Sequence, residues 1–120
     1  MATGRMLIAA ERQRQIDSEG WTPEHDDQHG ARSLELAALC YRNKHAAKEG
    51  CGLPDLWPWD KQWWKPKGYQ RNLERAGALY LAAAEVAERA GDYQYHNKLL
   101  EDSDTCASEI NAIILGKSPP

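Results

Sequence analysis

The strongest constraint on the fold lies in residues 56–67, LWPWDKQWWKPK, which hold four of the chain's five tryptophans. Indole rings are large and mostly apolar, so a segment this rich in them should pack against the protein or against a ligand. Its two prolines exclude an ordinary helix or a central strand. Further prolines and glycines flank it, and we therefore predict a long tryptophan- and proline-rich loop over residues 49–68.

Outside that loop, apolar residues recur with the spacing of helices. The periodic segments cover about residues 4–18, 31–48 and 69–90, with glycines at 20, 50 and 91 to end them. Thr22 followed by Pro23 predicts a short additional turn of helix, and one more helix is expected from residue 93. Many alanines and leucines without any phenylalanine also favour helices. The sequence thus predicts an all-α fold of three to four helices, with a single domain over residues 1–92 and a C-terminal helical extension over residues 93–120.

The helix faces predict how these elements pack. In the first helix, an inward face is expected from Met6, Ala9, Ala10 and Gln13, while the charged residues should lie on a solvated face. In the third long helix, a narrow stripe of small residues predicts close packing against a neighbour; it consists of Leu73, Ala76, Gly77, Tyr80, Ala83, Ala84 and Ala87.

The C-terminal helix carries more apolar surface than a short terminal helix needs within one domain. We expect this surface to form a homodimer or a larger oligomer through Leu99, Leu100, Ile110, Ile113 and Ile114.

The net charge of −3 is unevenly distributed along the chain. Residues 11–29 contain six acids against two arginines, and residues 61–75 contain five basic residues against one acid. General nucleic-acid binding is not expected, because it needs a broad positive surplus, whereas a local basic patch beside tryptophans suits a small anion. No apolar run reaches membrane-spanning length, and three cysteines without zinc-ligand spacing fit a reduced compartment. We therefore predict a cytoplasmic protein without a cofactor.

The loop has the chemistry of a nucleotide site, because aromatic faces stack on a base and nearby cations hold phosphates. Adjacent Trp63 and Trp64 cannot both enter the same core, so one ring should line a cavity, with Trp21 brought alongside by the turn at Gly20. Arg12, Lys65 and Arg71 would contact phosphates, although Arg12 would also fit against the acidic segment that follows Trp21. Asp26 or Asp60 would contact ribose hydroxyls. The same rings could instead fill the core or contact a protein partner. The candidate ligand-binding residues are Arg12, Trp21, His25, Asp26, Trp57, Trp59, Asp60, Trp63, Trp64, Lys65 and Arg71.

A second candidate site is the segment EHDDQH, with His25, Asp26, Asp27 and His29. Histidines and carboxylates can ligate a transition metal, contact a ligand directly, or cap a turn. The chain has no HExxH motif, P-loop or nucleophile elbow, so a non-catalytic protein is expected.

Two segments of the sequence resemble segments of known proteins. ERQRQIDSEGWTPEHDDQH and WPWDKQWWKPKGYQRNLERAGALYLAAAE resemble a family of small phage and prophage proteins, over about residues 7–90. The order of GWTPEHDD, WPWD and YQRNLERA is also similar to the repeat domains of the ryanodine receptor. The first resemblance implies a phage protein in an infected bacterium, and the second implies recognition of nucleotide-derived ligands.

These observations lead to one expected function and two alternatives. We expect a non-catalytic phage protein that binds a small nucleotide-derived molecule and so sequesters an immune signal of the host. The first alternative is a protein-interaction module that inhibits a host enzyme. The second is a metal-dependent hydrolase that uses the His25, Asp26, Asp27 and His29 cluster.

Overall fold

The structure, a computed structural model, describes residues 2–44 and 51–116, and within these ranges it is all-helical, as predicted. Its five α-helices exceed the predicted three to four, because residues 23–29 form a helix of their own rather than a single turn. One short 3-10 helix interrupts the loop, which was expected to lack regular structure. The elements are α1 (Gly4–Glu19), α2 (Pro23–His29), α3 (Ala31–Arg42), the 3-10 helix (Lys61–Trp63), α4 (Tyr69–Arg89) and α5 (Tyr93–Ile114).

The predicted signals for the ends of α1 and α2 are confirmed. Gly20 follows α1 with a φ of 72°, a left-handed conformation that glycine adopts without strain. The Thr22 hydroxyl accepts a hydrogen bond from the backbone N–H of His25, and Pro23 occupies the first turn of α2. Trp21 therefore lies in a two-sided turn, between the glycine that ends α1 and the threonine that caps α2.

The end of the next helix differs from the prediction. α3 ends at Arg42, and Asn43 is already extended, with φ −73° and ψ 104°. Asparagine is a poor helix former because its side chain competes for nearby backbone groups. The remainder of the predicted helix and Gly50 fall in residues 45–50, which lie outside the described ranges.

α4 is the centre of the core, with α1, α3 and α5 packed against it. The predicted small-residue stripe is confirmed, since all seven of its members are buried. Gly77 shows why the stripe must be small: a Cβ atom there would lie 2.3 Å from Cδ1 of Ile8 on α1. Helices can approach this closely only where a side chain is missing.

α5 packs along α4 and contributes to the same buried cluster. Leu99 and Ile110 have no exposed surface, so the expectation that these two present a free apolar face is wrong. These two residues are instead covered within the chain's own helical core, while Leu100, Ile113 and Ile114 are partly buried against that core. The oligomer stays a prediction.

The inward face of α1 is polar, contrary to the apolar face predicted for it. Met6, Ala9, Ala10 and Gln13 are exposed, whereas the buried residues of the helix are Gly4, Ile8, Glu11, Arg12 and Gln15. The prediction failed because apolar spacing contains no information about partners on other helices. Charged groups can be buried where opposite charges and hydrogen bonds compensate the loss of water.

Candidate ligand-binding site

A cavity of about 480 Å³ lies between α2, the connection before it, and the tryptophan-rich loop. This volume is within the range of about 300–1,000 Å³ that small-molecule sites occupy. As predicted, the loop supplies one wall and Trp21 lies alongside it. The lining residues are Trp21, His25, His29, Pro58, Trp59, Asp60 and Trp63.

Four rings of this lining contact one another in a closed circuit. Trp21 and His25 are nearly parallel, with an interplanar angle of 8° and centroids 5.7 Å apart. His25 contacts His29 at 4.4 Å, and His29 meets the edge of Trp59 at 5.3 Å. Trp59 closes the circuit against Trp21 at 5.8 Å and 70°. Edge-to-face and offset contacts of this kind fix the rings relative to one another.

The α2 wall is held in place by Arg12. Its Nη2 lies 2.6 Å from Oδ2 of Asp26, and its Nη1 donates to the backbone carbonyl of Trp21 at 3.3 Å. Both members of the ion pair are buried, with side chains only 7% and 0% exposed. Neither residue lines the cavity, so Arg12 and Asp26 support the wall rather than presenting their charges to a ligand.

The outer side of α2 is attached by a second ion pair. Arg89 of α4 donates to Asp27 through Nη2 at 2.7 Å and through Nε at 3.1 Å. These bonds direct the Asp27 carboxylate toward α4. Because both aspartates of the EHDDQH segment are bound by arginines, α2 is fixed from two sides.

His25 and His29 turn the polar edge of α2 toward the cavity. Nδ1 of His25 lies 3.2 Å from Oδ1 of Asp26, the oxygen that Arg12 leaves unoccupied. For His29, burial and then the nearby His25 lower the pKa below the ordinary value of 6.5, against the opposing effect of Asp26. His29 therefore favours its neutral form at neutral pH.

The loop wall rests on a second layer of rings that does not line the cavity. Trp57 is buried, donates through Nε1 to the carbonyl of Asp60 at 3.1 Å, and meets Trp59 edge-on at 5.4 Å. Trp64 packs between Trp57 and Tyr41, at 5.0 and 4.8 Å. These two tryptophans are therefore part of the protein interior, while Trp59 and the 40%-exposed Trp63 face the cavity.

Two side chains outside the loop fix its backbone. The Tyr41 hydroxyl donates to the carbonyl of Trp63 at 3.3 Å and accepts from the N–H of Lys65 at 3.0 Å. Asn72 accepts from the N–H of Lys67 at 2.7 Å and donates to its carbonyl at 2.8 Å. The Tyr41 bonds attach the backbone on both sides of Trp64 to α3, and the Asn72 bonds attach the end of the loop to α4. Together they hold the backbone of Trp63 at the cavity.

The basic residues expected to bind phosphate are not gathered at the cavity. Arg71 is held by Glu11 at 2.5 Å and by Glu74 at 2.9 Å. Burial alone would raise the pKa of Glu11, but the hydrogen bonds and charges of Arg14 and Arg71 outweigh it and lower that pKa below 4.5. Lys65 lies over the ring of Trp63, with Nζ 5.7 Å from the centroid, and is not part of the cavity lining.

The structure thus brings together five of the predicted residues: Trp21, His25, Trp59, Asp60 and Trp63. The prediction of binding residues missed Pro58 and His29 in the lining. Helical spacing of four residues between His25 and His29 could have indicated that they share one face of α2. The acidic segment was the alternative partner expected for Arg12, and its pairing with Asp26 confirms that alternative; nothing in the local sequence indicated that Glu11 binds Arg71.

The EHDDQH segment does not assemble a metal site in the part of the chain that the structure describes. No group of three or more histidine, cysteine, aspartate or glutamate side chains there could hold a metal ion. Asp26 is bound by Arg12 and Asp27 by Arg89, so both carboxylates already have cationic partners within the chain.

Fold and site together define a small helical protein with a preformed aromatic cavity. Within residues 2–44 and 51–116, no helix has both the length and the apolar character needed to cross a membrane. The chain matches no protein-family model, no curated protein and no solved structure.

Proposed function

We propose that this chain is a non-catalytic binding protein for a small nucleotide-derived ligand, whose base is held by the rings of the cavity. The observation that supports this most is the lining itself: three indoles and two imidazoles around about 480 Å³. Stacking of a base on an aromatic side chain contributes about 1–3 kcal/mol and tolerates any base, because every base has a flat face.

The polar groups near the cavity suit the rest of such a ligand. Asp60 is a lining residue, and its carboxylate can accept hydrogen bonds from ribose hydroxyls. Lys65 lies over the ring of Trp63, a lining residue, and its ammonium group could bind a phosphate of a ligand stacked there. In the phage setting that the sequence resemblance implies, binding without turnover would sequester a nucleotide signal of the host.

Titration of the purified protein tests this proposal. A panel of mononucleotides, cyclic dinucleotides and ADP-ribose is added while calorimetry and tryptophan fluorescence are followed. For any nucleotide that binds, Trp59→Ala and Trp63→Ala should each weaken affinity about ten- to a hundredfold, as expected for one lost stacking ring. Tyr93→Ala, which removes an exposed ring on α5, is the matched control and should leave affinity unchanged.

Denaturing the protein provides an independent readout. A ligand acquired during expression should be released and identified by mass spectrometry. If nothing is released and no nucleotide of the panel binds, the proposal is wrong.

A second candidate function is favoured by one observation on the loop. Leu53, Leu56 and Trp63 all belong to it and are all exposed, and exposed apolar residues are used at protein-interaction sites. This candidate is the inhibitor of a host enzyme. It predicts that Leu56→Ser abolishes capture of a specific host protein while Trp59→Ala does not, together with no nucleotide binding.

A further inference from the structure

The hydrogen-bonding state of His25 follows from the residues behind it. Oδ2 of Asp26 is bound by Arg12 at 2.6 Å, and Oδ1 lies 3.2 Å from Nδ1 of His25. A carboxylate paired with a guanidinium can only accept hydrogen bonds, so Nδ1 of His25 must carry the proton. A neutral imidazole has one N–H, and Nε2 is then an acceptor.

The position of the ring decides where that acceptor lies. Nδ1 and Nε2 flank one ring carbon and point in diverging directions, and Nδ1 faces a carboxylate without any exposed surface. The ring edge that carries Nε2 is therefore not the edge that Asp26 occupies, and His25 lines the cavity. The parallel contact with Trp21 keeps the ring from turning about its axis.

An acceptor fixed in an aromatic wall discriminates between ligands. A ligand that presents an N–H group satisfies it, whereas an analogue without that group leaves a desolvated acceptor unpaired. What distinguishes His25 from the other cavity groups is its fixed tautomer: the Asp26 carboxylate lies beside Nδ1 of His25, whereas His29 contacts that ring at 4.4 Å without a carboxylate hydrogen bond of its own in the described residues, and Asp60 lies in the loop wall.

We propose that His25 is a specificity-determining residue, and that its Nε2 accepts a hydrogen bond from the amino group of an aminated nucleobase such as adenine. This inference rests on the proposed function and narrows it, because it selects amino-bearing bases over bases of the same shape that lack the amino group. Arg12 and Asp26 act as positioning residues, since they set the tautomer of His25 without contacting the ligand.

The tautomer can be tested without any ligand. Long-range ¹⁵N–¹H correlation spectra of the histidine side chains at pH 7.5 should show His25 with a protonated Nδ1 and an unprotonated Nε2. The resonance is assigned by its loss in His25→Phe. A proton on Nε2 instead would overturn the inference even in a fully folded protein.

The discrimination is tested with adenosine 5′-monophosphate and purine riboside 5′-monophosphate, which differ only in the 6-amino group. The wild type should bind the amino-bearing nucleotide about tenfold or more tightly, which corresponds to one hydrogen bond. His25→Phe keeps a flat ring beside Trp21 but has no acceptor, so the two affinities should become equal. His96→Phe is the matched control, because His96 on α5 bonds to the carbonyl of Ala84 away from the cavity, and it should keep the wild-type ratio.

The outcomes separate the two proposals. Equal affinities in the wild type, or an unchanged ratio in a folded His25→Phe, would overturn the role of His25 while leaving nucleotide binding in place. Absence of binding by both nucleotides would overturn the role of His25, and only failure of the whole nucleotide panel would also overturn the proposed function.

Discussion

Replacing Arg12 with methionine distinguishes a scaffold residue from a ligand-binding one. The sequence pattern favoured a phosphate contact, but the guanidinium is bound to Asp26 at 2.6 Å, to the Trp21 carbonyl at 3.3 Å and to Glu85 at 3.4 Å. Methionine fills a similar volume without the charge. Arg12→Met therefore leaves the Asp26 carboxylate fully buried and without its ion-pair partner.

The expected cost follows from that uncompensated charge. Removing one partner of a buried ion pair destabilises a protein by about 3–5 kcal/mol. A domain of this kind has a total stability of about 5–15 kcal/mol, so Arg12→Met should remain only marginally folded. At about 4 °C per kcal/mol, the melting temperature should fall by roughly 12–20 °C. Adding Asp26→Leu removes the buried charge, so the double variant should be more stable than Arg12→Met alone.

Urea unfolding followed by circular dichroism and tryptophan fluorescence measures these values. Arg5→Met is the control, because Arg5 pairs with Asp104 at 3.2 Å in an exposed position, with side chains 76% and 56% exposed. Its cost should stay within about 0.5 kcal/mol. A cost below about 1 kcal/mol for Arg12→Met, accompanied by a loss of nucleotide affinity, would refute the scaffold role and support the phosphate contact.

Three further predictions concern stability. Gly77→Ala places a Cβ atom 2.3 Å from Cδ1 of the buried Ile8, so it should cost about 1–3 kcal/mol in urea unfolding, and adding Ile8→Val should recover part of this loss. For Glu11, burial alone would raise the pKa, but its arginine partners lower it below 4.5 in the folded protein. The contribution of Glu11 to the free energy of unfolding is therefore complete above its unfolded pKa and is lost as the pH falls toward its folded pKa. Glu11→Gln should flatten this acid dependence between pH 3 and 6. The pKa of His29 is lowered from 6.5 by burial and by His25, so the unfolded chain binds the proton more readily than the folded protein. The free energy of unfolding should therefore fall as the pH drops through 6.5. His29→Gln should reduce the difference between the unfolding free energies measured at pH 5 and at pH 8.

Helix positions were predictable where the signal is local. The segment predicted over residues 69–90 is α4, Tyr69–Arg89, because its stripe of small residues repeats over several turns and Gly91 follows with a φ of 79°. The start of α2 was predictable for the same reason, since Thr22 and Pro23 act on neighbouring backbone groups. Signals of this kind depend on residues within a few positions of one another.

The polar face of α1 was not predictable, because its partners are distant in sequence. Arg12 meets Asp26 across 14 positions, and Arg71 meets Glu11 across 60. Before the fold is known, a charged residue beside other charged residues is indistinguishable from a solvated one. The candidate site shows the same contrast. The clustering of tryptophans predicted a cavity wall, but the sequence could not decide whether Arg12 meets the acidic segment or a phosphate, and it did not indicate that Glu11 binds Arg71.

The division of the tryptophans into two layers links the stability of the loop to its capacity to bind. Trp57 and Trp64 are packed with Tyr41 inside the protein. At the cavity, Trp59 meets Trp57 edge-on, and the Trp63 carbonyl accepts a hydrogen bond from Tyr41. The cavity-facing rings are therefore held in place before any ligand arrives, and binding does not have to order the loop. Since ordering of side chains and loops is a main cost of association, a wall assembled in advance leaves more of the stacking free energy as affinity. Under the proposed function, such a wall suits a protein that retains its ligand, because the rings that hold the base need not rearrange when it binds.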